Sequence, residues 1–92
     1  MDNGSKILLT FPSTHYALKA EGVVRAHGLK GRLIPMPRDI SSLCGLALEL
    51  DPEEGDRGVS LLLASGVRLE KKVKIVKQEG CVIWVEVLEE YM

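Results

Sequence analysis

A short apolar run that stops at a proline constrains this chain more than any other feature. Residues 6–11 read Lys-Ile-Leu-Leu-Thr-Phe, and Pro12 follows at once. A short run this apolar, bounded by a turn signal, predicts a buried central strand. Ser13 and Thr14 come next, and either hydroxyl is suited to cap a helix over residues 15–27. The sequence therefore begins as a central strand that leads directly into a helix.

The middle of the chain predicts two further strands. Residues 32–36 are extended in pattern, but Pro35 and Pro37 remove backbone donors, so we expect this strand at an edge of the sheet. Residues 46–50 alternate well enough to form a third strand. The stretch between them is rich in turn-forming residues and is expected to be a loop.

The last part of the chain predicts a second helix and a hairpin. The pair Asp51-Pro52 has the layout of a helix start, and residues 65–66 would end that helix. Apolar residues within 73–76 and 82–87 predict two paired strands. Lysines on the first arm favour an edge position for it, and the apolar second arm favours a central one.

This order of elements predicts an α+β fold. Strand, helix, strand, strand, helix and a closing strand match a ferredoxin-like split βαβ sandwich (β-α-β-β-α-β), with a possible extra C-terminal hairpin. At 92 residues, of which 46% are hydrophobic, the chain is expected to form one domain over residues 1–92.

Charge and apolar patterning argue against several classes of protein. Twelve basic and thirteen acidic residues give a net charge of −1, so no overall field would attract nucleic acid. No apolar run approaches the ~20 residues that a membrane span requires. The first residues also lack the layout of a signal peptide. We therefore expect a cytoplasmic protein that binds neither nucleic acid nor membrane, with its cysteines reduced.

Cys44 is the first candidate for chemistry. It lies in a loop after Ser41 and Ser42 and before Gly45, where a side chain reaches solvent more often than on an apolar strand. The serine hydroxyls would bond a thiolate or its sulfur adduct, and Gly45 would allow unusual backbone angles and the close approach of a partner. Arg38 would favour the thiolate if the loop folds back. The opposite interpretation, a small buried filler, stays equally open.

A second candidate cluster lies at the first helix start. A small anion would bind beside Ser13 and Thr14 at the positive end of the helix dipole, with His15 as a proton donor. Ordinary helix capping explains the two hydroxyls as well. Cys81 begins an apolar strand, which favours a structural role. His27 has no partner at metal-ligand spacing, so no metal site is expected.

Four stretches in the first half of the chain, residues 9–15, 17–21, 32–38 and 40–48, follow a further pattern. Together they resemble the putative selenium/sulfur carrier protein-like family. This resemblance implies a short single domain in which Cys44 carries the persulfide or selenide and Gly45 completes a cysteine-glycine pair. The sequence departs from the family pattern after Gly66, where the hairpin is longer than a single closing strand.

The resemblance implies a carrier protein rather than a free-standing enzyme. Cys44 would accept sulfur or selenium from a cysteine desulfurase or another carrier, hold it as a persulfide-type adduct and pass it on without a cofactor. Two alternatives stay open. One is a regulatory module that binds a small molecule or anion between residues 13–14 and the loop at 41–45, and the other is a non-catalytic interaction subunit that adds an edge strand to a partner.

Overall fold

The computed structural model describes residues 3–92, and in them five antiparallel strands form one sheet with two α-helices on one face. The elements are β1 (Gly4–Thr10), α1 (Thr14–Ala26), β2 (Arg32–Pro35), β3 (Leu46–Leu50), a 3-10 turn (Pro52–Glu54), α2 (Gly55–Ala64), β4 (Lys71–Gln78) and β5 (Cys81–Glu90). The sheet order is β2-β3-β1-β4-β5, so that β3 lies between β1 and β2. The α+β class is therefore confirmed.

Strand β1 lies at the centre of the sheet, as its apolar run predicted. Its side chains alternate between two clusters. Ile7 and Leu9 pack beneath the helices, while Leu8 packs on the opposite face with Val73. Ile40, from the loop after β2, covers that opposite face. Both faces of β1 are buried, which is why the run carries so few polar residues.

Helix α1 forms where the pattern predicted it, but the Ser13 hydroxyl does not cap its first turn. Ser13 occupies the N-cap position with φ −153° and ψ 161°, and the structure gives it no side-chain capping bond. Ala17, Ala20 and Val24 are fully buried against the sheet. Gly28 follows the helix with φ +77°, the left-handed conformation expected of glycine at this position.

Two glycines inside α2 allow that helix to lie close to the sheet. A Cβ atom on Gly58 would stand 2.6 Å from Cδ1 of Leu50, and one on Gly55 would stand 3.1 Å from Cγ1 of Ile7. Glycine weakens a helix by about 1 kcal/mol relative to alanine. Here the loss of helix propensity is offset by the close approach of helix and strand.

The closing hairpin is present, but its two strands occupy the reverse of the predicted positions. β4 pairs with both β1 and β5, and β5 forms the edge. Two of the lysines of β4 form ion pairs with residues from other elements of the fold. Lys72 bonds Asp56 of α2, and Lys77 bonds Glu49 of β3 at 2.7 Å. The two-residue turn has φ 53° at Glu79 and φ 81° at Gly80, typical of a tight hairpin.

No helix among residues 3–92 is long and apolar enough to cross a membrane. Within the same residues, no three His, Cys, Asp or Glu side chains come together as a metal-binding group would require.

Candidate functional site

The loop at residues 41–45, the Cys44 loop, places its cysteine inward. Cys44 keeps only 5% of its accessible surface and belongs to the core cluster beneath the helices, together with Phe11. Of the two interpretations that the sequence left open, the structure therefore agrees with the buried side chain and not with one that reaches solvent. The neighbouring Leu43 is 69% exposed, so the backbone turns between the two residues and sends one side chain out and the other in.

Two hydrogen-bonding groups contact the buried sulfur. The backbone N–H of Leu46 donates to Cys44 Sγ at 3.4 Å. Thr14 Oγ1 lies 3.7 Å from the same sulfur, and either atom can be the donor. Because Thr14 is the first residue of α1, the sulfur also lies near the positive end of that helix dipole. These groups would all stabilise negative charge on the sulfur or on an atom bonded to it.

Glu70 holds the loop closed from the strand side. The hydroxyl of Ser42 donates to Glu70 Oε1 at 2.6 Å, and the N–H of Leu43 donates to the same oxygen at 3.4 Å. The N–H of Cys44 in turn donates to Ser42 Oγ at 3.3 Å. A carboxylate, a hydroxyl and the cysteine amide thus form one chain of hydrogen bonds from Glu70 to the candidate residue.

The backbone of Glu70 is itself fixed on both sides. Its N–H donates to the carbonyl of Thr10 at 2.7 Å, and its carbonyl accepts from the N–H of Tyr91 at 2.9 Å. Burial, with smaller contributions from the charges of Glu89 and Asp56, raises the pKa of the Tyr91 phenol. Sequence reasoning missed Glu70, because nothing in its local surroundings distinguishes it from the other solvated charges of the chain.

Both ends of the Cys44 loop are anchored as well. Lys71 Nζ donates to the carbonyl of Ser41 at 2.7 Å, and the N–H of Met36 donates to the carbonyl of Gly45 at 2.8 Å. A Cβ atom built on Gly45 would meet nothing within 4 Å, and its φ lies outside the left-handed region. Open space thus adjoins Gly45, as a docking partner would require, but its backbone is not of the unusual kind that was expected.

Three other predicted residues form no hydrogen bond with the sulfur. Arg38 is exposed and, among residues 3–92, forms no hydrogen bond or ion pair with Cys44. His15 is exposed, and its ring meets that of Tyr16 edge to face at 5.5 Å. Ser13 occupies the N-cap position without a side-chain capping bond, so none of these three side chains joins the hydrogen-bond network of the site.

Cys81 is exposed, which corrects the buried structural role predicted for it. It opens β5 beside the hairpin turn and pairs with Gln78. An apolar strand was expected to be central, but β5 is the edge, so its first residue projects into solvent. Neither cysteine forms a disulfide.

Three surface cavities lie away from the Cys44 loop. Their volumes are about 260, 250 and 290 Å³. The first lies along β5, the second along the charged end of β3, and the third beside the end of α2 and the C-terminus. None of the three is lined by residues 13–14 or 41–45, where an anion-binding module was expected to hold its ligand.

Comparison with known proteins gives one match. The sequence model of a family described as "Putative Se/S carrier protein-like" matches residues 6–74. The matched segment includes the Cys44 loop and Glu70, continues past Gly66, where the resemblance was expected to end, and stops within β4. Searches among curated proteins and among solved structures found no match.

Proposed function

Since the chain belongs to the putative Se/S carrier protein-like family, we propose that it holds sulfur or selenium as a persulfide-type adduct on Cys44 and passes it between proteins. One observation carries the proposal: of the two cysteines, only Cys44 lies within the matched residues, and its sulfur is contacted by the Leu46 amide and the Thr14 hydroxyl. The partners would be a cysteine desulfurase as donor and another carrier or an enzyme as acceptor.

The transfer would be a thiol–disulfide type of exchange. The Cys44 thiolate attacks the terminal sulfur of a persulfide on the donor, a new S–S bond forms on Cys44, and the donor cysteine leaves as its thiolate. No oxidant is needed, because the transferred sulfur keeps its oxidation state. The Leu46 N–H and the Thr14 hydroxyl would bond the sulfur while its charge changes.

Access to Cys44 would require the loop to open. With the loop closed, the cysteine keeps 5% of its surface, and a partner's nucleophile has no approach to the sulfur. Opening would break the bonds from Ser42 and Leu43 to Glu70. We propose that a docking partner moves this loop, starting from the exposed Leu43, and that closure afterwards shields the adduct from small thiols.

Two further assignments belong to this proposal. The ferredoxin-like split βαβ plan is supported by the position of β3 between β1 and β2, with β5 as an addition. A cytoplasmic location would suit the carrier role, because that compartment keeps thiols reduced.

The test uses single-cysteine variants. Cys81→Ser, which keeps only Cys44, is incubated with a cysteine desulfurase and cysteine, and its intact mass is measured under non-reducing conditions. We expect the mass to increase by one sulfur atom. Cys44→Ser, which keeps the more exposed thiol, is the matched control and should stay unmodified. An unmodified Cys81→Ser variant, or equal loading of the two variants, would contradict the proposal.

A further inference from the structure

The outer strand of the sheet carries four exposed apolar side chains, which are distributed over both faces of the strand. Ile83 and Trp84 are 57% and 58% exposed, and Val87 and Leu88 are 48% and 40% exposed. All four lie on β5, which among residues 3–92 pairs on one side only, with β4. The other side of its backbone is therefore an unpaired edge. A long, apolar edge strand is the type that pairs with another chain.

The two edge strands of the sheet differ in how well they are protected against pairing with another chain. β2 is four residues long, carries Arg32 and ends at Pro35, so it offers little backbone for pairing. β5 is ten residues long and contains no lysine, arginine or proline. It also lies outside the segment that matches the carrier family, so the carrier proposal does not account for it.

We propose that β5 pairs with β5 of a second copy of this chain, in an antiparallel arrangement about a two-fold axis. Each copy would supply the same apolar strand, so the contact is self-complementary and uses each β5 once. The protected β2 edge cannot continue the assembly, and the product is a closed dimer with a ten-stranded sheet. The dimer is independent of sulfur transfer by Cys44.

The distribution of charge along β5 favours this antiparallel partner. Its acidic residues, Glu86, Glu89 and Glu90, all lie in the C-terminal half, and the residues from Cys81 to Val85 are uncharged. Antiparallel pairing sets the acidic half of one copy beside the uncharged half of the other. A parallel neighbour of the same sequence would instead align like charges.

The size of the surface suits a dimer that depends on concentration. The exposed parts of the four apolar side chains amount to on the order of 400 Å² in total over both faces of β5. A standard interface buries about 800 Å² per partner. Shifts of register at two places leave only residues 84–87 in unbroken pairing with β4, which limits the regular part of the edge. We therefore expect dissociation in the micromolar range.

The experiment follows the mass and the tryptophan fluorescence of the full chain over a concentration series in reducing buffer. Trp84 is the only tryptophan, so its emission reports on this strand alone. We expect mass and emission to change together, from a monomer with exposed tryptophan to a dimer whose emission lies at shorter wavelength. Trp84→Lys should weaken the dimer at least about tenfold, because it removes the central aromatic contact.

Leu18→Lys is the matched control, since Leu18 is 57% exposed on α1, away from β5. It should dimerise like the wild type. Ile83→Lys serves as a second edge variant, and circular dichroism checks that each variant folds. A wild type that stays monomeric at every concentration would overturn the proposal. Dimerisation that Leu18→Lys weakens, or that neither edge variant weakens, would overturn it as well.

Discussion

The two cysteines of this chain show that the exposure of a sulfur atom and the hydrogen bonds it receives are separate properties. Cys81 is exposed beside the hairpin turn, and its sulfur has no hydrogen-bond partner among residues 3–92. Cys44 keeps 5% of its surface, yet its sulfur meets an amide and a hydroxyl, and its own amide joins the chain of bonds to Glu70. A site that must hold an adduct needs such contacts, whereas access can be supplied by a moving loop.

Native alkylation gives the largest expected difference between the two cysteines. We expect iodoacetamide to modify Cys81 at least about 100-fold faster than Cys44, because Cys44 reacts only in the fraction of molecules whose loop is open. Peptide mass spectrometry over time measures both rates in one sample. In urea the two rates should converge. Equal rates in the native protein would mean that the Cys44 loop does not protect its cysteine.

Glu70→Ala should reduce this difference by opening the loop. The substitution removes the acceptor for the Ser42 hydroxyl and the Leu43 amide. Hydrogen bonds to a charged group contribute roughly 1.5–3 kcal/mol, so we expect alkylation of Cys44 to accelerate about 10- to 100-fold. Cys81, in the same molecules, should react as before.

Two further variants separate the effect of the Glu70 carboxylate from a general loss of stability. Glu70→Gln keeps an acceptor oxygen and should increase the alkylation rate of Cys44 less than Glu70→Ala does. Glu89→Ala removes an exposed carboxylate from β5 and should leave the rate at Cys44 unchanged. If Glu89→Ala increases the alkylation rate of Cys44 as much as Glu70→Ala does, Glu70 has no specific role in closing the loop.

Sequence patterns predicted the strands and helices of the fold better than they predicted which residues are buried and what each residue contacts. The buried central position of β1 and the edge position of β2 follow from local features, namely an apolar run and two prolines. The positions of β4 and β5 do not. The lysines of β4 were interpreted as edge protection, but Lys72 and Lys77 are neutralised by Asp56 and Glu49, which come from distant parts of the chain.

The candidate site was predictable in part for the same reason. The loop and its cysteine are visible as a local pattern, and the helix start with Thr14 was identified as a second cluster. The contact between Thr14 and Cys44 spans 30 residues, and that between Ser42 and Glu70 spans 28. No local sequence pattern predicts a contact between residues so far apart in the chain. The role of Glu70 and the burial of Cys44 could therefore be identified only from the folded structure.

Thr14→Val tests the hydroxyl contact that Cys44 has and Cys81 lacks. Valine keeps the shape of threonine but loses the group that lies 3.7 Å from the sulfur. A typical net hydrogen bond contributes about 0.5–1.5 kcal/mol, and one to sulfur lies at the low end. We expect a persulfide on Cys44 to decay about threefold faster in the presence of a small thiol. Ser13→Ala removes the neighbouring hydroxyl, which forms no cap, and should leave the decay unchanged.

The smallest expected effect is an alkaline loss of stability on the Glu70 side of the molecule. The raised pKa of Tyr91 means that the folded protein favours the neutral phenol more than the unfolded chain does. This stabilisation is complete below about pH 10 and is lost as the pH rises through the folded-state pKa. Urea unfolding should therefore show wild type losing stability relative to Tyr91→Phe above about pH 10. A Tyr91→Phe variant with the same alkaline loss as wild type would show that the phenol is not its source.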